Sequence, residues 1–203
     1  MAKVAAYIDG FNLYNGMKDA KWKKYYWLNL RGFCEALLSP GDSLVTVRYF
    51  TSKVESQGGS RDRQSVYLAA LRTEAQIHPV YGKFTSETQQ CRSCSRTWVT
   101  WTEKMTDVAI AVALLTDAYS GLYETAYLVC ADRDLVPAAR AITSSPLNKQ
   151  LHVYLPPSRQ CPNLKNAAHV YRKVDEAVYR ANQMPNPVVT QSGRTLYRPA
   201  SWR

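Results

Sequence analysis

The chain has 203 residues, enough to bury a full core as one domain with an insertion or a tail. Its 26 Lys and Arg against 16 Asp and Glu leave a net charge of +10, which favours a polyanionic partner through phosphate contacts and counterion release. The apolar runs are too short to span a bilayer, the N-terminus enters a strand pattern within a few residues, and five cysteines are an odd count for a disulfide framework, so a cytoplasmic protein without a membrane partner is expected.

Val4 to Ile8 is a compact apolar run that reads as a strand buried on both faces, ending at Asp9. Gly10 permits a sharp turn into a helix over Phe11 to Lys18, which aims Asn12 back at the carboxylate. Residues 21 to 30 interleave Lys21, Lys23 and Lys24 with Trp22, Tyr25, Tyr26 and Trp27. Aromatic faces stack on unpaired bases while lysines follow phosphates, although Trp27 and Leu28 fit equally under the next helix. That helix runs through LRGFCEALL with Asn29 as its cap, and Ser43 to Val54 alternates like a strand. Glu55 to Arg63 has a loop composition that would bring Arg61 and Arg63 to a pocket rim, and an amphipathic helix follows.

His78 to Thr85 predicts another strand, after which an insertion over residues 86–102 carries Cys91 and Cys94. A C-x-x-C in a tight turn presents two thiolates to one point and suits half a zinc site, with two free thiols in a hairpin turn as the alternative. Two further ligands would come from His78, from Cys161 or from another subunit, which leaves a homo-oligomer open. Arg92, Arg96, Trp98 and Trp101 give the hairpin a basic, aromatic surface suited to RNA. Lys104 to Thr116 predicts a helix packed through Val108, Ala111, Val112 and Leu115. Asp107 falls in its first turn, with Lys104 placed to pair with that carboxylate or face a phosphate.

Asp117 and Glu124 read as surface charges beside a linker. Ala126 to Ala131 is a second buried strand pattern ending at Asp132 and Asp134, with a helix over Val136 to Ile142 behind it. Lys149 to Leu155 predicts the final strand, residues to 183 supply short helical pieces, and residues 184–203 read as an extended tail. Asp9, Asp107, Asp132 and Asp134 are expected to form one cluster. Grouped carboxylates repel unless protonated or bridged, and an all-oxygen set selects Mg²⁺ or Mn²⁺.

The order D-G-x-N after the first strand, K-x-x-D opening a central helix and D-x-D after a later strand resembles the NYN domain, including its LabA-like group, within the PIN-like nuclease superfamily. The resemblance covers roughly Lys3 to Leu155 and implies an α/β fold: a Rossmann-like, mainly parallel sheet flanked by helices, within a domain over residues 1–183. It also implies an acidic pocket holding Mg²⁺ or Mn²⁺ on Asp9, Asp107 and Asp132 for hydrolysis of single-stranded RNA, with Asn12 and Asp134 at the remaining motif positions. Such domains often read S-G-D-S-D-F at the last site, where this chain has Cys130-Ala131-Asp132-Arg133-Asp134-Leu135. Arg133 therefore keeps a second reading open, a non-catalytic RNA-binding module whose guanidinium takes the cation's place. On the nuclease reading Lys23, Lys24, Arg61, Arg63, Arg92 and Arg96 form a phosphate-binding rim.

Overall fold

The computed structural model describes residues 1–53 and 59–202. Strand β1 (Lys3–Asp9) leads into helix α1 (Gly10–Asp19), followed by α2 (Leu30–Glu35), β2 (Ser43–Ser52) and α3 (Gly59–Leu71). A long hairpin, β3 (Ile77–Gln90) and β4 (Thr97–Lys104), precedes α4 (Thr106–Tyr119) and β5 (Thr125–Val129). Helix α5 (Val136–Thr143), β6 (Gln150–Leu155), α6 (Pro162–Lys165), β7 (Val170–Lys173) and α7 (Glu176–Ala181) follow, and a small hairpin of β8 (Val188–Val189) and β9 (Thr195–Leu196) lies near the end.

Seven strands form one sheet in the order β4-β3-β2-β1-β5-β6-β7, parallel throughout except for β4 against β3. Strand β1 is central because its side chains are apolar on both faces. Val4, Ala6 and Ile8 enter one core layer, and Ala5 and Tyr7 enter the other. From β1 the chain builds outward through β2 and β3, then returns to lay β5 on the other side. The crevice at the carboxyl ends of β1 and β5 is therefore the switch point where such sheets bind ligands.

Several expectations are corrected. Asp117 is no surface charge: it is 6% exposed and accepts hydrogen bonds from the Tyr7 hydroxyl at 2.7 Å and from Arg48 Nε at 2.6 Å and Nη2 at 2.7 Å. This pair fastens α4 across β1 and β2, and the carboxylate beside Tyr7, together with burial, pushes its phenol far above the usual range. Helix α4 packs through Ile110, Leu114 and Ala118, whereas Val108 and Val112 face solvent. Its sequence is apolar on both sides, so the period alone could not fix which face turns inward.

Residues 59–63 belong to α3, not to a loop, while the rest of the expected loop falls outside the described residues. Residues 170–173 form an edge strand against β6, the Val-Tyr pair following the sheet and not a helical preference. Residues 184–203, expected as an extended tail, carry the β8–β9 hairpin and bury Met184 and Trp202. Trp202 packs against Tyr26, Trp27 and Tyr67, with ring centroids 5.6, 6.3 and 6.0 Å away.

Candidate active site

Asp9 ends β1 and caps α1. Its Oδ1 accepts the Asn12 amide at 2.9 Å and its Oδ2 accepts the Cys130 thiol at 3.4 Å. Asn12 in turn accepts the Ala131 amide at 3.2 Å, which ties the end of β5 to the start of α1. Gly10 is required here because a Cβ would lie 2.7 Å from the Phe50 carbonyl oxygen and the Tyr49 ring. Cys130, read from sequence as a small buried residue, is thus a partner of Asp9, and its sulfur also accepts the Asp132 amide at 3.2 Å.

Asp9, Asn12, Asp107 and Asp132 line one cavity of about 190 Å³ together with Phe11, Asn15, Glu103, Thr106 and Arg159. Glu103 and Arg159 were not legible as site residues. Glu103 arrives on β4, where its carboxylate accepts the Ser52 hydroxyl at 2.9 Å and is bonded by Thr106. That junction is packed around Gly82, since a Cβ there would stand 2.5 Å from Glu103 Oε1, Ser52 Oγ and Thr106 Oγ1. Arg159 comes from the turn after β6 and is held by Asp19 at 2.8 Å, with its Nε buried and unpartnered.

The electrostatics are those of crowded, uncompensated acids. Burial raises the Asp9 carboxyl pKa against the lowering effect of its hydrogen bonds, with Asp132 and Glu103 adding to the rise. Asp107 is pushed up to about 6 by burial and by the charges of Asp132, Asp9, Glu103 and Asp134. None of Asp9, Glu103, Asp107 or Asp132 has a salt-bridge partner among the described residues. No three Asp, Glu, His or Cys side chains among those residues already enclose a metal position. A hard divalent cation nevertheless fits this donor set, because the facing groups are oxygen donors whose mutual repulsion such an ion relieves. Asp134 is exposed and outside the cavity wall, its amide donating to Asp132 Oδ1 at 3.0 Å. Arg133 is exposed and does not line the cavity either.

The nominated cations scatter. Arg63 lines a second, aromatic cavity next to the acidic one, and Arg61 lines a basic cleft with Lys53 and Arg72, which the sequence did not single out. Lys23 and Lys24 lie on a short 3₁₀ turn, where Lys24 is paired with Glu176 at 3.3 Å and sits over the Tyr25 ring. Lys104 ends β4 and is exposed, so it is no first-turn lysine of α4.

Arg92 and Arg96 are exposed at the tip of the β3–β4 hairpin, beside the two cysteines. There the Cys91 thiol is lowered to about 6 by the Ser93 hydroxyl and the amides of Cys94 and Ser93. His78 lies at the other end of β3, on the order of 40 Å away along an extended strand, and Cys161 is buried in the core, its amide donating to Tyr171. Neither completes a four-ligand site with Cys91 and Cys94.

The sequence profile of the NYN domain matches residues 3–175. A curated relative from Pseudomonas putida, 6-hydroxy-3-succinoylpyridine 3-monooxygenase HspA, is 26% identical across 97% of this chain and 74% of its own length. A crystal structure of a protein of unknown function from Vibrio parahaemolyticus superposes with a TM-score of 0.57 at 17% identity, covering 86% of this chain and 94% of that one, a likeness of fold.

Proposed function

Because the chain belongs to the NYN domain family of the PIN-like superfamily, we propose that it is a divalent-metal-dependent ribonuclease acting on the phosphodiester bonds of single-stranded RNA. The observation that carries this reading is the set of carboxylates without salt bridges among the described residues, Asp9 buried and Glu103, Asp107 and Asp132 half-buried, at the switch point of a strongly basic chain. Bound Mg²⁺ or Mn²⁺ supplies charge neutralisation at phosphorus and an acidified water. Asp9, Asp107 and Asp132 would hold the ion, with Glu103 in reach of the same cavity. Asn12 and Cys130 fix the Asp9 carboxylate, and Arg159 offers a positive charge to a phosphate at the rim. None of the three histidines lines the cavity, so no imidazole serves as general base. The non-catalytic alternative rests on Arg133 taking the cation's place, and that residue is exposed and does not line the acidic cavity. A second reading, chemistry on a small nitrogen ring as in the named relative, is favoured only by the aromatic cavity and is separated by the competition described below.

Thermal melting against pH tests the metal. Asp107 has a raised carboxyl pKa, so between about 4 and 6 the folded chain binds more protons than the unfolded one. Metal-free stability therefore falls as pH rises through that window. Mn²⁺ at a hundredfold its Kd should restore about 2.7 kcal/mol at pH 7.5. That is roughly 5–10 °C in Tm, and the gain should fade below pH 6 as Asp107 is protonated. A Tm indifferent to Mn²⁺ at both pH values would sink the metal site.

RNA affinity should fall steeply with salt. Reversing Arg61 and Arg72 to Glu should flatten the slope of log affinity against log salt by about 0.7 for every phosphate that the protein no longer neutralises. Reversing Lys23 and Lys24 should do less, since Lys24 already spends its charge on Glu176. Equal slopes in the first variant and the wild type would move the phosphate path off the cleft.

For Cys91 and Cys94 we propose a zinc site completed from another subunit, leaving the acidic pocket independent of it. Elemental analysis should find one zinc per two chains, absent from the Cys91→Ser/Cys94→Ser variant without change in the Mn²⁺ response. Zinc-free wild-type protein would leave the pair as two thiols in a turn.

A further inference from the structure

We propose that the aromatic cavity beside the carboxylates is a subsite for one pyrimidine base, so that the strand is gripped by a single flat ring while its backbone crosses the acidic pocket. This rests on the ribonuclease reading and adds to it a recognition element that phosphate contacts lack. The cavity is about 180 Å³, with Phe11, Tyr14, Tyr26, Tyr49, Tyr67 and Trp202 in its wall. An apolar cavity of about 150 Å³ holds a benzene ring, so this one is matched in size to a six-membered ring. Aromatic walls bind a base through its π-face, worth roughly five- to a hundredfold in affinity for each stacked base. Thr51 and Gln64 place polar atoms in the otherwise apolar wall, and half-buried Arg63 stands at the same cavity without a salt bridge among the described residues.

Position decides the occupant. Phe11 lines both cavities, and Gly10 in the aromatic wall directly follows Asp9, one Cα step of about 3.8 Å away. The two cavities therefore adjoin at Phe11 and the Asp9–Gly10 bond, which suits a ring seated here and a phosphate over Asp9 that belong to neighbouring parts of one strand. A free heteroaromatic compound shares the ring chemistry but carries no phosphate to lay across the neighbouring acidic pocket.

The test measures binding in EDTA, where nothing is cut. Octauridylate RNA should bind wild-type protein at least fivefold tighter than octaadenylate RNA. Tyr14→Ala, at a residue 42% exposed, should erase that ratio while leaving the melting temperature within a few degrees. Uridine 5′-monophosphate should displace octauridylate at concentrations at which 2-pyridone does not. Equal affinity for the two RNAs, a ratio unchanged by Tyr14→Ala, or 2-pyridone competing as well as the nucleotide would each overturn the subsite. A chain that prefers octauridylate but cleaves no RNA with Mn²⁺ would end the nuclease reading and leave the subsite standing.

Discussion

Asp107→Asn should abolish Mn²⁺-dependent cleavage of single-stranded RNA and, in the same protein, raise the melting temperature of the metal-free form at pH 7.5. The two effects share one cause. Asp107 is held with its carboxyl near 6 because burial disfavours its charge and Asp132, Asp9 and Glu103 press negative charge on it, so ionising it costs stability at neutral pH and is worthwhile only when a cation binds. The neutral amide removes that repulsion without opening a cavity, but also removes one anionic ligand. Metal stabilisation of several kcal/mol, at 1.36 kcal/mol per tenfold, puts the expected loss of rate at roughly a thousandfold. Cleavage assays and melting curves on one preparation decide it. A variant that keeps most of its activity would take Asp107 out of the site, and one that melts lower without metal would show that the carboxylate is structurally satisfied after all.

The second large effect is expected from an aromatic ring of the core. Trp202→Ala should destabilise the protein by about 3–5 kcal/mol, the usual cost of truncating a large buried ring. For a chain of this length that is roughly 6–20 °C in Tm. Trp202 is 7% exposed and sits on Tyr26, Trp27 and Tyr67, so it closes the layer beneath α1 and α3 and also walls the aromatic cavity. Denaturant unfolding followed by tryptophan fluorescence and by circular dichroism would check it. A midpoint shifted by less than about 1 kcal/mol would restore the view of this segment as a loosely attached tail.

The parts of the molecule legible in the sequence are those fixed by short-range patterns. Strand β1, with its apolar run broken by Asp9, could be placed because burial on both faces leaves one reading, and the same holds for β5 before Asp132. Asp9, Asn12, Asp107 and Asp132 could be brought to one edge because each follows a predicted element boundary. Glu103 was missed because it lies on β4, among alternating residues that look like any exposed hairpin; only the antiparallel register, Phe84 opposite Glu103, carries it to the sheet edge. Cys130 was read as buried, as it is, but its bond to Asp9 was not legible, because a thiol inside an apolar strand has the same appearance whether it only packs or also donates. The cleft of Lys53, Arg61 and Arg72 was invisible for a different reason: its members sit at the ends of β2 and α3, and depend on how those elements cross. The face of α4 was misassigned because its hydrophobic residues nearly encircle it, and the choice was made by Asp117 meeting Arg48 and Tyr7.

Gly82 adds a constraint on how this sequence can drift. It is needed for space and not for an unusual torsion, since a methyl group there would collide with Glu103, Ser52 and Thr106 together. Positions 52, 82, 103 and 106 are therefore bound to change together: while Ser52, Glu103 and Thr106 stay as they are packed, any side chain at 82 is excluded, and losing the carboxylate alone leaves the two hydroxyls in the way. In a descendant of this chain, alanine at 82 would be a mark, readable from sequence alone, that the junction of Ser52, Glu103 and Thr106 had been rebuilt.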